Sequence, residues 1–367
     1  MAVKKRVNVC AFHSFFVTLP PDLLSTAMST NKHRTSLKDL ARELGVSIAT
    51  VSRALRNSPE IGKEMQERVK DLAKRMNYRP NPFAQSLRKE APHVIGVVVP
   101  NLVTHYYAAV LDGIEAEARR AGYSVISANT HEDSDAEVRA IDNFISLHVE
   151  GIIACLSQNT TDYKHFEEIA DMGIPLVFFG RTCLPEKFSS VTANGDVAAQ
   201  EATQHLIDTG SRRIAFVGGP NHLDMVRRRK HGYLEALREN RIPIERELVV
   251  CEKIDYQWGV EAVTRLLQME NRPDAILAFN DILTFAAFSA IKDAGLRIPD
   301  DVALIGFTDD PHAGYVTPRL SLIADQSQLM GQTACQLLLK AIGGDAKICK
   351  KIVPQKLVIC ETSARKK

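Results

Sequence analysis

The sequence predicts two unlike parts in one chain: an N-terminal all-α head with a helix-turn-helix, followed by a two-lobed α/β body. Three observations predict it. Short amphipathic helical patterns broken by a glycine occupy residues 36–77, and from His93 onward apolar strand-like runs alternate with helical ones. The theme of the body then repeats, with "IGVVVPN" and "GIEAEARRAGYSV" echoed by "IAFVGGPN" and "GYLEALRENRI". Pro100 is matched by Pro220 and Gly113 by Gly232, offsets of 120 and 119 residues.

A chain of 367 residues is long enough for two or three domains with sizeable cores. Its 45% hydrophobic and 25% charged content is that of a globular protein. The net charge of +2 hides an asymmetry. Residues 1–90 carry 17 Lys+Arg against 8 Asp+Glu, and residues 91–367 carry 29 against 36. A basic head on an acidic body suggests a polyanionic partner for the head, although a solvated basic surface accounts for charge alone. The seven cysteines (Cys10, Cys155, Cys183, Cys251, Cys335, Cys349, Cys360) contain no C-x-x-C pair, which argues for reduced thiols in a cytoplasmic protein and against a zinc site.

Residues 1–27 combine a basic start with an apolar run, as a signal peptide does, but His13 and Ser14 interrupt the run. Met28 is therefore the expected start, with the preceding residues an upstream mis-assignment or a disordered extension. No other run of about 18 apolar residues exists, so no membrane span is expected.

In the head, Leu37, Leu40, Ala41 and Leu44 fall at the spacing of an amphipathic helix, with Ser36 as its cap and Gly45 as its stop. Ser47 caps a second helix from Ile48 to about Arg56, with Val51, Ala54 and Leu55 inward. Ile61, Met65, Val69, Leu72 and Met76 mark a third. Three short helices with a tight turn between the first two form a helix-turn-helix.

A recognition helix must approach base edges closely, so small outward residues near its start are informative. Ile48 and Ala49 suit apolar contact with thymine methyls, Arg53 a two-pronged contact to guanine, and Thr50 and Ser52 phosphate or base oxygens. The same spacing also fits a small three-helix protein-binding module. Beyond it, Asn81 can cap and Pro82 can begin a two-turn helix to about Arg88, too short to stand alone in water. Formed against DNA, that helix would offer Leu87 as a minor-groove wedge; otherwise it is a linker.

The body reads as doubly wound α/β, and two such lobes imply a cleft beyond the carboxyl ends of their strands. Residues just past strand ends are the candidates: His105, Tyr106, Tyr107, Asn129, Arg181, Asn194, Arg229, Asn280, Asp281 and Asp309. Amide, guanidinium and carboxylate groups bond sugar hydroxyls, and tyrosines stack on an apolar sugar face. Trp258 reads as packing. The histidines lack metal-ligand spacing, and no phosphate loop, nucleophile elbow or paired-carboxylate motif is present, so neither a cofactor nor an enzymatic activity is expected.

Taken together, "TSLKDLARELGVSIATVSRALRNSPEIGKEMQERVKDLAKRMNYRPNPFAQSLR", "VIGVVVPN", "GSRRIAFVGGP", "FNDILTFAAFSAIKDAGLRIPDDVALIGF" and "TPRLSLIADQ" closely resemble the lactose-repressor (LacI/GalR) family of bacterial transcription regulators. The resemblance runs from about Thr35 to Ser363 and divides the chain into an extension (1–34), a DNA-binding domain (35–80), a hinge helix (81–91) and an effector-binding and dimerisation domain (92–363) of type I periplasmic-binding-protein fold. It implies a repressor acting as a homodimer, with a tetramer as the larger alternative, on a pseudo-palindromic operator. Ser47, Ile48, Ala49, Thr50, Ser52, Arg53, Asn81, Ala84 and Leu87 are then the DNA-binding candidates, with Ala84 and Leu87 in the hinge. Tyr106, Tyr107, Arg181, Arg229, Asn280 and Asp281 match contacts to a small-molecule effector, usually a sugar or its derivative. Thr308 and Ala193 stand where the family often has Asp, so a hydroxyl-binding carboxylate is missing unless Asp309 substitutes. An exported sugar-binding receptor is the alternative, though it has no use for the head.

Overall fold

The computed structural model describes residues 35–78, 93–345 and 347–365. The chain divides into two compact units, residues 1–85 and 86–367. The proposed start at Met28 and the hinge residues Asn81, Ala84 and Leu87 lie outside the described residues.

In the first unit, α1 (Leu37–Leu44), α2 (Ile48–Leu55) and α3 (Lys63–Arg75) enclose a small core of Leu40, Ala41, Val51, Ala54, Val69, Leu72 and Ala73. Ser36 and Asp39 form a reciprocal capping box at the start of α1. Gly45 ends α1 at φ +66°, a conformation that a side chain makes costly, and this sets the tight turn into α2. Ser47 accepts the Thr50 backbone N–H at 3.0 Å and so starts α2.

In the second unit, the first sheet runs in the order β2 (Ser124–Asn129), β1 (Val94–Val99), β3 (Gly151–Ala154), β4 (Leu176–Phe179), β5 (Ser189–Ala193) and β11 (Lys350–Val353), all parallel. The second repeats that order with β7 (Val249–Cys251), β6 (Ile214–Gly218), β8 (Ala275–Ala278), β9 (Ala303–Phe307), β10 (Ser321–Ala324) and an antiparallel β12 (Lys356–Val358). Helices α4 (His105–Arg120), α5 (Ser134–Ser146) and α6 (Lys164–Asp171) belong to the first lobe. Helices α7 (Gly195–Asp208), α8 (Asp224–Glu239), α9 (Tyr256–Leu267) and α10 (Asp281–Asp293) belong to the second. Helices cover both sheet faces, which is why the inner strands are continuous apolar runs and every residue of β1, β6 and β9 is buried. Trp258 lies in the core of the second lobe.

The chain crosses between lobes three times, at 194, at 325–326 and at 354–355. After the first crossing α7 packs on α8 of the second lobe; after the second, α11 (Ser327–Ile342) packs on α4 of the first. Both helix pairs meet at glycine. A Cβ on Gly113 would lie 2.1 Å from the Gln328 carbonyl oxygen, and one on Gly232 would lie 1.9 Å from that of Asp196. The matched glycines of the repeat therefore mark matched helix contacts, one in each lobe.

Because a backbone oxygen cannot move aside, Gly113→Ala must push α4 off α11. Denaturant unfolding should show a loss of about 1 to 3 kcal/mol; a loss below about 0.5 kcal/mol would contradict the crossing.

Candidate functional site

On the head, α2 turns Val51 and Ala54 inward and leaves Ile48, Ala49 and Arg53 exposed, with Thr50 and Ser52 half-buried. Ile48 is 41% exposed. The Ser47 and Thr50 hydroxyls share a hydrogen bond of 2.9 Å, and Arg56 donates to the Ser52 backbone carbonyl and hydroxyl, both at 3.3 Å. Arg53 Nη1 lies 3.2 Å from Glu60 Oε2.

On the body, a cleft of about 870 Å³, its open mouth included, lies between the lobes. Its walls come from the carboxyl ends of parallel strands in both sheets. The first lobe gives Asn101, Thr104, His105, Tyr106 and Tyr107 after β1, Glu132 after β2, Gln158 after β3 and Arg181 after β4. The second gives Leu223, Met225 and Arg229 after β6, Ile254 after β7, Asn280 and Asp281 after β8, Asp309 after β9 and Asp325 after β10.

The six effector candidates, Tyr106, Tyr107, Arg181, Arg229, Asn280 and Asp281, are thus on one cavity, together with His105 and Asp309. Asn129 and Asn194 are not among its lining residues. Asn129 ends the outer strand β2, where its side chain accepts the His131 N–H. Asn194 sits in the first crossing, where its side chain accepts the Gln355 N–H at 2.7 Å. Asp309 is engaged elsewhere as well. It accepts from the Ser327 backbone and hydroxyl at 2.8 and 3.0 Å, securing the start of α11, and lies 4.0 Å from His105 Nε2.

Both cleft arginines already have carboxylate partners. Arg181 forks onto Glu132 at 2.6 and 3.0 Å and bonds the Leu156 carbonyl. Arg229 is buried against Phe307, 3.8 Å from its ring centre, donates to the Phe279 carbonyl, and holds Asp325 Oδ1 at 2.7 Å. Gln355 also donates to Asp325. Glu132, Asp325 and Gln355 were missed in the sequence; Asp325 alone carried the strand-end signal. Burial raises both tyrosine phenols well above their ordinary value, so each stays a neutral O–H. Burial also raises Asp281, and Asp309 and Asp310 add to this, while the Ile282 N–H opposes it. Asp325 is pushed up to about 6 by burial, against the pull of Arg229. Thr104 Oγ1, on the cleft wall, is buried with no partner among the described residues, the condition of a group that a ligand hydroxyl can satisfy.

Two family models match the chain, "Bacterial regulatory proteins, lacI family" over residues 36–81 and "Periplasmic binding protein-like domain" over residues 203–363. Catabolite control protein A of Priestia megaterium is 32% identical over 83% of this chain and 92% of its own length. The chain belongs to the lacI family. A probable HTH-type transcriptional repressor, ExuR of Bacillus subtilis (strain 168), is likewise 32% identical, over 90% of this chain and 98% of its own. Among solved structures, the lac repressor dimer bound to operator and the anti-inducer ONPF superposes with a TM-score of 0.79 at 25% identity, over 90% of this chain and all of that one. This lacI-family chain is accordingly a DNA-binding transcriptional regulator with an effector domain, and the exported receptor is not favoured, since the relatives named repressors match head and body alike. No described helix is long and apolar enough to cross a membrane, and no described group of His, Cys, Asp or Glu is arranged to hold a metal.

An Asp whose folded pKa is raised binds its proton more tightly folded than unfolded, so its contribution to stability is full below the ordinary carboxylate range and is lost as pH rises through about 6. Unfolding curves of wild type and Asp325→Asn should therefore diverge in favour of wild type as pH falls from about 7 to about 4. Parallel curves would place the Asp325 titration elsewhere.

Proposed function

We propose that the chain is a cytoplasmic repressor whose homodimer presents two copies of α2 to a pseudo-palindromic operator and whose operator affinity is set by a sugar or sugar derivative held between the lobes. The observation that carries this reading is the pairing, in one chain, of an exposed, small-residue helix face bearing Arg53 with an interlobe cleft lined by tyrosine, amide, guanidinium and carboxylate groups. Ile48 and Ala49 meet bases, Arg53 reads a guanine, and the Ser47, Thr50 and Ser52 hydroxyls set register on phosphates. Asn81, Ala84 and Leu87 form a hinge helix that is stable only on DNA, with Leu87 wedged into a minor-groove step. In the cleft, Tyr106, Tyr107, Arg181, Arg229, Asn280 and Asp281 hold the effector, the tyrosines against its apolar face and the others on its hydroxyls.

Closure of the lobes on the effector changes their spacing and so biases the hinges of the dimer toward order or disorder. The protein binds and releases its ligand unchanged, with no catalytic step. A tetramer is not required for any of these roles.

Selection of bound duplexes from a random pool, with and without a panel of sugars and sugar phosphates, tests both halves at once. The expected outcome is a two-fold-related site whose recovery changes with at least one compound, together with a steep fall in affinity as salt rises. Absence of any preferred duplex would overturn the reading. On the selected site, Arg53→Ala should cost about 1 to 3 kcal/mol and relax the preference at one base pair; equal loss on every sequence would reassign Arg53 to a phosphate. Leu87→Ala should reduce operator bending and leave effector binding intact, and unchanged bending would remove the wedge.

A further inference from the structure

We infer that Glu60 is a specificity-determining residue, which holds Arg53 in its base-reading orientation and lowers the head's affinity for DNA of the wrong sequence. The inference rests on the proposed approach of α2 to DNA.

Glu60 lies in the loop between α2 and α3, in a domain (35–80) that carries ten Lys+Arg against six Asp+Glu. A carboxylate beside a recognition helix is an anion held near phosphates, so it opposes association with any duplex. Its place is nevertheless built. The Gln66 side-chain amide donates to two loop carbonyls, Ser58 at 2.9 Å and Ile61 at 2.7 Å. The Ser58 N–H returns to the Arg53 carbonyl at 3.1 Å and that of Ile61 to the Ser58 carbonyl at 3.0 Å. These bonds tie the backbone on both sides of Glu60 to α2 and α3, and they leave its carboxylate 3.2 Å from Arg53 Nη1.

The pair is open to water, with 51% of the Arg53 side chain and 66% of the Glu60 side chain exposed, so it adds little to stability. Its effect falls on what the guanidinium does next. An arginine free to swing can neutralise any nearby phosphate, a contact that strengthens binding to every sequence alike. With Glu60 engaging one nitrogen, swinging away gives up the ion pair, whereas a forked contact to guanine uses the remaining donors and returns more. Glu60 therefore weakens non-specific binding more than specific binding. Repulsion of the wrong partner is a common source of specificity.

The test uses the full-length protein on a duplex selected from a random pool and on a scrambled duplex of the same composition. Relative to wild type, Glu60→Gln should raise affinity for the scrambled duplex about five-fold while changing affinity for the selected one less, so the specificity ratio falls. Gln66→Ala, which leaves the charge but frees the loop, should lower the ratio in the same direction. In an Arg53→Ala background, Glu60→Gln should leave the ratio where Arg53→Ala put it. Equal gains on both duplexes would reduce Glu60 to a general repulsive charge, and a fall in the ratio that persists without Arg53 would show Glu60 acting by itself; either result overturns the inference. A wild type with no preference between the duplexes would instead remove the DNA-binding reading beneath it.

Discussion

The body depends on the buried guanidinium of Arg229. Its side chain is 3% exposed and that of Asp325 is 10% exposed, so neither charge could be kept there without the other. The ring of Phe307 lies against the guanidinium, and Gly195 leaves room for the arginine stem, since a Cβ there would stand 3.2 Å from Arg229 Cγ. What makes the cluster consequential is where its members come from. Gly195 directly follows the first crossing between lobes, Asp325 lies in the second, and Gln355 lies in the third. Gln355 bonds Asp325 through its side chain and Asn194 through its backbone N–H. One small polar network thus touches all three connections that set how the lobes sit, and Arg229, which faces the cleft, is its centre.

Such a network need not contribute much net stability. Replacing a buried ion pair with apolar groups is often neutral, whereas removing one partner is costly. Gln355 Oε1, buried with no partner among the described residues, leaves the cluster one hydrogen bond short. A cluster with an unmet hydrogen bond and a carboxyl poised near pH 6 is well suited to having two arrangements. In the proposed reading, a ligand hydroxyl that draws on Arg229 would also draw on the bond to Asp325, so that filling the cleft and moving the crossings would become one event. The head follows a different economy. Its core is seven small or aliphatic residues, and its function rests on what α2 leaves outside.

Much of this was legible in the sequence, for identifiable reasons. The helices of the head follow from apolar spacing and from Ser36, Gly45 and Ser47, because capping is local chemistry. The inner strands were readable as continuous apolar runs because parallel strands are buried on both faces. The internal repeat located Gly113 and Gly232, and the structure supplies the reason: each is pressed against the helix that directly follows a crossing between lobes. Strand β5, reading Ser-Ser-Val-Thr-Ala, escaped because it is polar, and β11 and β12 because lysine-rich edge strands carry no continuous apolar signal. In the cleft, the rule that ligands sit beyond strand ends collected the residues after β1, β4, β6, β8 and β9. It misplaced Asn129, which ends β2, and Asn194, which follows β5; their side chains are engaged by a local turn and by the third crossing. It passed over Glu132, which reaches Arg181 from a turn with φ +61° three residues past β2, and Gln355, whose role exists only once two distant crossings are side by side. Contacts set by tertiary structure are the ones that spacing along the chain does not encode.

The most direct test of this coupling is thermodynamic linkage in wild type and in Gln355→Leu. Operator affinity would be measured with and without a saturating sugar or sugar derivative that shifts it, and affinity for that compound on and off the operator. In wild type the two ratios should be equal and fall roughly between 5-fold and 150-fold. In Gln355→Leu the compound should still bind, with both ratios reduced together toward one. A variant that binds the compound and keeps the wild-type ratio would contradict the account, because the cleft would then reach the DNA without the network at the crossings.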